Sequence, residues 1–339
     1  MVKRFGISRG VSPRETFDQV SEIAKAVEEN GFEALWFIDH QLGMKDVYTA
    51  MNVASMSTEK IYLGSAVTNL QTRHPTVTAN ATTALDDLSN GRAMLGLGAG
   101  WVALHSIGKM PDNLSAVRQG INEFRQLFSG EEVELYGTKV RLATARRQIP
   151  IYLAVSQPGM LRLSGEICDG AIVMGAADVD FCNWQLDYIY QGLEKSGRKR
   201  SDIIIDLIVT MSIDDDEENA LNDVRAWATS QAATFAVWKK VPPAWERFRE
   251  EFKTAELPVK LPGRTINGAP YIHDITNLLT ENGNRVGLFY CEEELKREWK
   301  KASNFSIDSM VNGYPLEVPL CRFLTSRNYT KDSLGVSKL

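Results

Sequence analysis

The sequence predicts an α/β protein built as one (β/α)8 TIM barrel with insertions. Three observations carry that expectation. Short apolar runs recur about every 25–40 residues and alternate with helical patterns, the rhythm of right-handed βαβ units. The runs lack polar alternation: Ala34-Leu35-Trp36-Phe37-Ile38 is apolar throughout, as in a strand buried on both faces. About seven or eight such units can be counted, which favours a closed barrel over an open doubly wound sheet.

The elements follow in order. Arg4 to Ser8 makes a first strand, and Ser12-Pro13-Arg14-Glu15 reads as a capping box with Ser12 at the N-cap. Phe17, Val20, Ala24 and Val27 form one face of the helix that follows, and Asn30-Gly31 ends it. The second strand runs to His40, a helix spans about Asp46 to Met56, and Ile61 to Val67 is the third strand. A helix from Pro75 to Leu88 stops at Asn90-Gly91, and Ala93 to Gly96 is the fourth strand. A helix over Leu114 to Phe128 precedes a hairpin, Val133 to Leu142, that turns at Tyr136-Gly137-Thr138. Ile151 to Ala154, Ala171 to Met174 and Ile203 to Val209 continue the strands, with a helix over Met160 to Ile167. Val286 to Tyr290 and Ser309 to Gly313 are the candidate last strands. Prolines at 242, 243, 258, 262 and 270 mark residues 241–284 as an irregular insertion over one end of the barrel. The single domain is expected over residues 1–325, with 326–339 a polar tail.

Composition narrows the function classes. With 44% hydrophobic residues the 339-residue chain has ample core material, and a net charge of −5 without a basic run argues against nucleic-acid binding. No apolar run reaches the ~18 residues of a membrane span. Cys168, Cys182, Cys291 and Cys321 are scattered without metal-ligand spacing, so a cytoplasmic protein with neither disulfides nor a bound metal is expected.

Four segments lie where ligands meet an α/β sheet, at the carboxyl ends of its strands. Asp39-His40 closes the second strand, and histidine is the side chain most readily used for proton transfer near neutral pH. Gly64-Ser65-Ala66-Val67-Thr68-Asn69 closes the third; its small residues either let another backbone or a flat ring approach closely or only ease packing. Gly96-Leu97-Gly98-Ala99-Gly100-Trp101 follows the fourth, with the wrong spacing for a dinucleotide fingerprint and no helix starting at once. A loop open to a large ligand is the expectation there. Val155-Ser156-Gln157-Pro158-Gly159-Met160 leads into a helix whose free N–H groups could hold an anion, with Gly175-Ala176 as a second wall.

Together these segments resemble the bacterial-luciferase-like superfamily, most closely its branch that uses coenzyme F420. The nearest pattern is that of the methylenetetrahydromethanopterin reductases. The resemblance rests on Gly31-Phe32-Glu33-Ala34-Leu35-Trp36-Phe37-Ile38-Asp39-His40, on Asp46-Val47-Tyr48, and on Leu63 to Asn69 with Arg73-His74-Pro75. It continues through Ala84 to Arg92, Gly96-Leu97-Gly98, Ile149 to Tyr152 and Ser164 to Gly170. It covers residues 5–175, half of the chain. It implies Asp39 and His40 beside a deazaflavin ring, and a non-proline cis peptide at Ala66-Val67, or one bond earlier, behind that ring. Ser65, Thr68, Asn69 and Gly98 would complete the ring site, and Val155, Ser156, Gln157, Gly159, Met160, Gly175 and Ala176 the cofactor's phosphate site.

The implied activity is hydride transfer between the deazaflavin and a small or medium organic substrate, in a homodimer. An FMN-dependent monooxygenase is the alternative, and a non-catalytic flavin-binding relative a second one. Two positions depart from the reductase pattern. Ser8 and Trp101 stand where the reductases carry a glutamate and an aspartate for the pterin, so the substrate side, with Trp36, is expected to be more apolar. Tyr290-Cys291-Glu292 also replaces the usual Gly-Thr-Pro.

Overall fold

The computed structural model describes residues 5–175, 178–210, 231–232, 234–254, 265–266, 269–270 and 287–291. The apolar runs form β1 (Phe5–Arg9), β2 (Ala34–Phe37), β3 (Tyr62–Ser65) and β4 (Ala93–Leu97). After a hairpin of β5 (Val133–Leu135) and β6 (Thr138–Val140) come β7 (Ile151–Val155), β8 (Gly170–Met174) and β9 (Ile204–Thr210). The seven strands β1, β2, β3, β4, β7, β8 and β9 pair in parallel. Between and beyond them lie α1 (Phe17–Glu29), α2 (Val47–Met56), α3 (Pro75–Leu88), α4 (Trp101–His105), α5 (Leu114–Ser129), α6 (Pro158–Ile167) and α7 (Val179–Ser196). A short helix, α8 (Arg249–Thr254), and a two-residue pair, β10 (Thr265–Ile266) with β11 (Ala269–Pro270), follow.

β12 (Gly287–Cys291) closes the barrel between β1 and β9, antiparallel to both. The expected strand is present, but its direction departs from a uniform βα repeat. Either direction satisfies the two open edges. Ser309 to Gly313 lies outside the described residues.

Strand alternation divides the core in two. Ile7, Leu35, Leu63, Leu95, Leu153 and Val173 face outward into the packing with the helices. Trp36, Met94, Tyr152 and Ile172 fill the lumen, with the Trp36 and Tyr152 rings edge-on at 5.0 Å. Gly64 and Gly170 make room for these rings: a Cβ would lie 2.6 Å from Trp36 and 2.0 Å from Tyr152. Trp36 is therefore part of the barrel's plug and not of a substrate wall, and Gly64 serves that packing. A filled lumen leaves the mouth as the place for a ligand.

Local starts differ from the sequence reading where two signals compete. α1 begins one turn late, on Thr16, whose hydroxyl accepts from Gln19 N (3.2 Å) while Gln19 Oε1 accepts from Thr16 N (2.8 Å). Glu15 Oε2 does accept from Ser12 N, but its other oxygen pairs with the buried Arg9, and the segment closes a separate turn. α6 starts at Pro158, where the ring suits the first helical position. α4 starts directly after Gly100, against the expectation of no immediate helix.

At the opposite end from the mouth, Glu28 accepts from the successive amides of Glu59 (3.0 Å), Lys60 (2.6 Å) and Ile61 (3.0 Å). Burial raises the Glu28 pKa, but these bonds and the Arg92 charge outweigh it and hold it below the ordinary 4.5. The sign follows: this contribution to stability is present above pH 4.5 and is lost as pH falls through the lower folded value. The gap in melting temperature between wild type and Glu28→Gln should therefore shrink below pH 4.5. A gap unchanged down to about pH 3 would contradict it.

Candidate functional site

The predicted residues do converge on the mouth, in two layers. Asp39, His40, Ser65, Thr68, Asn69, Gly98 and Val155 are buried and make a frame, and Ser8 is buried beneath it. Ala66, Val67, Ser156, Gln157, Gly159, Met160 and Gly175 are partly exposed and line it. Ala176 lies outside the described residues.

The frame is built on Asp39. Its Oδ2 accepts from Thr68 Oγ1 (2.7 Å) and Arg73 Nη1 (2.5 Å), and its Oδ1 accepts from Arg73 Nη2 (3.3 Å). Thr68 is 0% exposed and its hydroxyl proton is spent on Asp39, so it supports the site from below instead of meeting a ligand. Its N–H donates to Gly96 O (3.0 Å) and its carbonyl accepts from Gly98 N (2.9 Å), which stitches the segment to β4. Asn69 is turned inward too: Oδ1 accepts from Gln71 N and Thr72 N, leaving only its amide hydrogens to offer. Ser65 Oγ donates to Gly96 O (2.8 Å). His40 is 4% exposed, and its Nδ1 accepts from Gly43 N (3.0 Å), which in the neutral ring puts the proton on Nε2.

Between Ser65 and Thr68 the Ala66-Val67 peptide is cis, at the position the resemblance implied. Both residues rest on the lumen plug with Ala154 and leave part of their surface open, a small apolar shelf at the mouth. Gly96 in β4 and Gly98 just after it belong to this arrangement. A Cβ at Gly96 would meet Ser65 O at 1.8 Å, and one at Gly98 would meet Val67 at 2.6 Å. Gly96 and Gly98 thus admit the neighbouring segment of the chain itself, and the expectation of a loop opened for a ligand is corrected there. Ser8 sits on β1 in register with Trp36, below the mouth. Trp101 is 45% exposed on α4, edge-on to His105 at 4.7 Å.

The loop into α6 has no side-chain cap, so the N–H groups of Gly159 and Met160 are not taken by one, and Pro158 has none to satisfy. Gln157 is committed elsewhere: its Nε2 donates to Lys240 O (2.9 Å) and its Oε1 accepts from Lys240 N (3.2 Å). That clasp ties the loop to an aromatic cluster of Phe181, Phe235, Trp238, Trp245 and Phe252. Gly175 packs against Phe181 and Gln185. Among the described residues no group of His, Cys, Asp and Glu could hold a metal ion, and no helix is long and apolar enough to cross a membrane.

The model of the family described as luciferase-like monooxygenase matches residues 3–263. This chain belongs to that family. The luciferase-like chain is 32% identical over 215 residues to 5,10-methylenetetrahydromethanopterin reductase of Methanolobus tindarius, covering 61% of this chain and 65% of the relative. It is 30% identical to the same-named enzyme of Methanopyrus kandleri (74% of this chain, 76% of the relative). It is 29% identical to F420-dependent glucose-6-phosphate dehydrogenase of Nakamurella multipartita (62% and 68%). Among solved structures, the coenzyme F420-dependent tetrahydromethanopterin reductase from Methanopyrus kandleri superposes with a TM-score of 0.61 at 27% identity, over 75% of this chain and 82% of that one.

Two members of this luciferase-like site were missed by sequence reasoning. Arg73 was read only as part of a motif, although a buried acid at a strand end calls for a cation nearby. Lys240 contributes backbone atoms alone, which carry no sequence signal.

Proposed function

We propose that this protein is an F420-dependent oxidoreductase that moves hydride between the deazaflavin and a small or medium organic substrate. The carrying observation is the apolar Ala66-Val67 shelf, partly open above a filled lumen and next to buried Asp39 and His40. A flat ring fits such a shelf, and two of the proteins named above, the glucose-6-phosphate dehydrogenase and the tetrahydromethanopterin reductase of known structure, are F420-dependent by their own names. When bound, the deazaflavin supplies the hydride chemistry; the chain's residues orient it and exclude water. Ser156, Gly159, Met160 and Gly175 are the residues for its phosphate. His40 is the proton-handling group, because the Asp39 carboxylate is occupied by Thr68 and Arg73.

The substrate side supports an apolar partner. Gln41 Nε2 donates to Ala103 O (2.6 Å) and Gln71 Nε2 to Met110 O (2.9 Å), which joins the loops after β2, β3 and β4 into one rim. Leu42, Trp101, Ile107 and Met110 are exposed along those loops. The test is direct titration of the protein with F420 and with FMN, followed by fluorescence. F420 affinity with weak FMN binding supports the reading; tight FMN binding with no F420 affinity overturns it in favour of the monooxygenase alternative. Bound cofactor that no substrate ever oxidises or reduces would favour the non-catalytic one.

We also infer a homodimer in the cytoplasm. Val77 (54% exposed), Ala81, Ala84 and Leu88 (50% exposed) form an apolar stripe along α3, beside exposed Met56 at the end of α2. Sedimentation velocity should show a dimer for the wild type and a monomer for Val77→Glu/Leu88→Glu. An unchanged dimer would place the interface elsewhere. The buried free thiol of Cys168 fits a reducing compartment.

A further inference from the structure

Arg73 joins three side chains at the edge of the frame: Asp39, Asp46 and Tyr48. Its guanidinium spans both oxygens of Asp39, reaches Asp46 Oδ2 (3.3 Å) and lies over the Tyr48 ring at 5.1 Å. Asp46 is itself the N-cap of α2, accepting from Thr49 N (2.8 Å). One side chain from the β3–α3 loop therefore ties the end of β2 to the start of α2, and through Asp39 it reaches Thr68, the residue after the cis-linked pair.

The charged and titratable groups around Asp39 are Arg73, Asp46 and Tyr48, with His40 next in the chain. Two acids face this one cation; if Arg73 is lost, the buried Asp39 is left charged without its partner, while Asp46 is half exposed to solvent. The Tyr48 phenol, pushed up to about 12 by burial with the Asp39 charge adding, stays neutral and offers no compensation. Burial lowers the Arg73 pKa, but its bond and charge pairing with Asp39 more than reverse this, and the cation persists. A lysine in its place would keep the charge and lose the two-pronged contact.

We propose that Arg73 is a positioning residue for the cofactor shelf: its fork on Asp39 fixes Thr68, and with it the Ala66-Val67 segment on which the ring is placed. The inference rests on the F420 reading above. It assigns Arg73 no contact with the reacting atoms, so its effect should fall on cofactor affinity and kcat and spare the substrate KM.

The experiment compares wild type, Arg73→Lys, Arg73→Gln, Asp39→Asn and Arg73→Gln/Asp39→Asn for F420 affinity by fluorescence, kcat, KM and melting temperature. Arg73→Gln should weaken F420 binding at least about tenfold, with KM within about twofold, and Arg73→Lys should fall between it and wild type. The double variant, which removes both charges and leaves an amide to accept from Thr68, should recover most of the affinity lost in Arg73→Gln. If Arg73→Gln does not fold, Arg73→Lys and the double variant carry the comparison. A lowered melting temperature with F420 affinity and kcat unchanged would make Arg73 purely structural and overturn the inference. Failure of the wild type to bind F420 is a different result: it removes the functional reading, and this inference with it.

Discussion

Gly96→Ala is expected to cost more than about 3 kcal/mol and to destroy the Ala66-Val67 shelf. The added Cβ would lie 1.8 Å from Ser65 O and 3.0 Å from Ser65 C, and both atoms are backbone. No rotamer change relieves such a contact, so β3 and β4 must separate at the point where Gly96 is most engaged. Gly96 N donates to Ser65 Oγ (3.2 Å), and Gly96 O accepts from Ser65 Oγ and Thr68 N. Moving the strands apart breaks these bonds together and releases Thr68 from its seat beside Asp39. Gly98→Ala is the internal control. Its Cβ would meet the Val67 side chain at 2.6 Å, and a side chain can shift. Urea unfolding should therefore rank Gly96→Ala well below Gly98→Ala, and the reverse order would refute the packing argument.

His40→Gln is expected to lower kcat/KM by about 10²–10⁴, the usual share of a positioned acid or base. The reason is the division of labour inside Asp39-His40. Asp39 accepts from Thr68 and twice from Arg73, so it serves as an anchor. His40 Nδ1 is occupied by Gly43 N, which in the neutral ring directs the remaining proton to Nε2. Glutamine cannot exchange a proton near neutral pH, yet it is close in size. Cofactor affinity should consequently change little while turnover falls. A loss smaller than about threefold would assign His40 to packing alone.

Much of the scaffold was legible because it depends on local pattern. The Val20, Ala24 and Val27 face of α1, the span of α2 to Met56, Pro75 at the head of α3 and the hairpin turning at Tyr136-Gly137 all lie where periodicity and turn chemistry put them. The misreadings have a common cause. Ser12-Glu15 and Thr16-Gln19 are equally good capping boxes, and it was Arg9, packed underneath, that drew Glu15 into a separate turn. Gly96 and Gly98 look like a ligand-admitting loop until Ser65 and Val67 are seen against them. Glycine reports that something comes close and not what it is.

The sequence by itself determined the parallel strands, their order of appearance, and the gathering of Asp39-His40, Ala66-Val67 and Ser156 at one end. Buried apolar runs with helical crossovers leave few other topologies. The tertiary structure alone decided which members of that set face a ligand. It placed Thr68 and Asn69 in the frame, sent Trp36 into the lumen, ran β12 in the opposite direction and coupled Arg73 to Asp39. Those outcomes turn on contacts between segments far apart in the chain. A strand's period of two shows which residues share a face, but only the packed neighbour shows what that face meets.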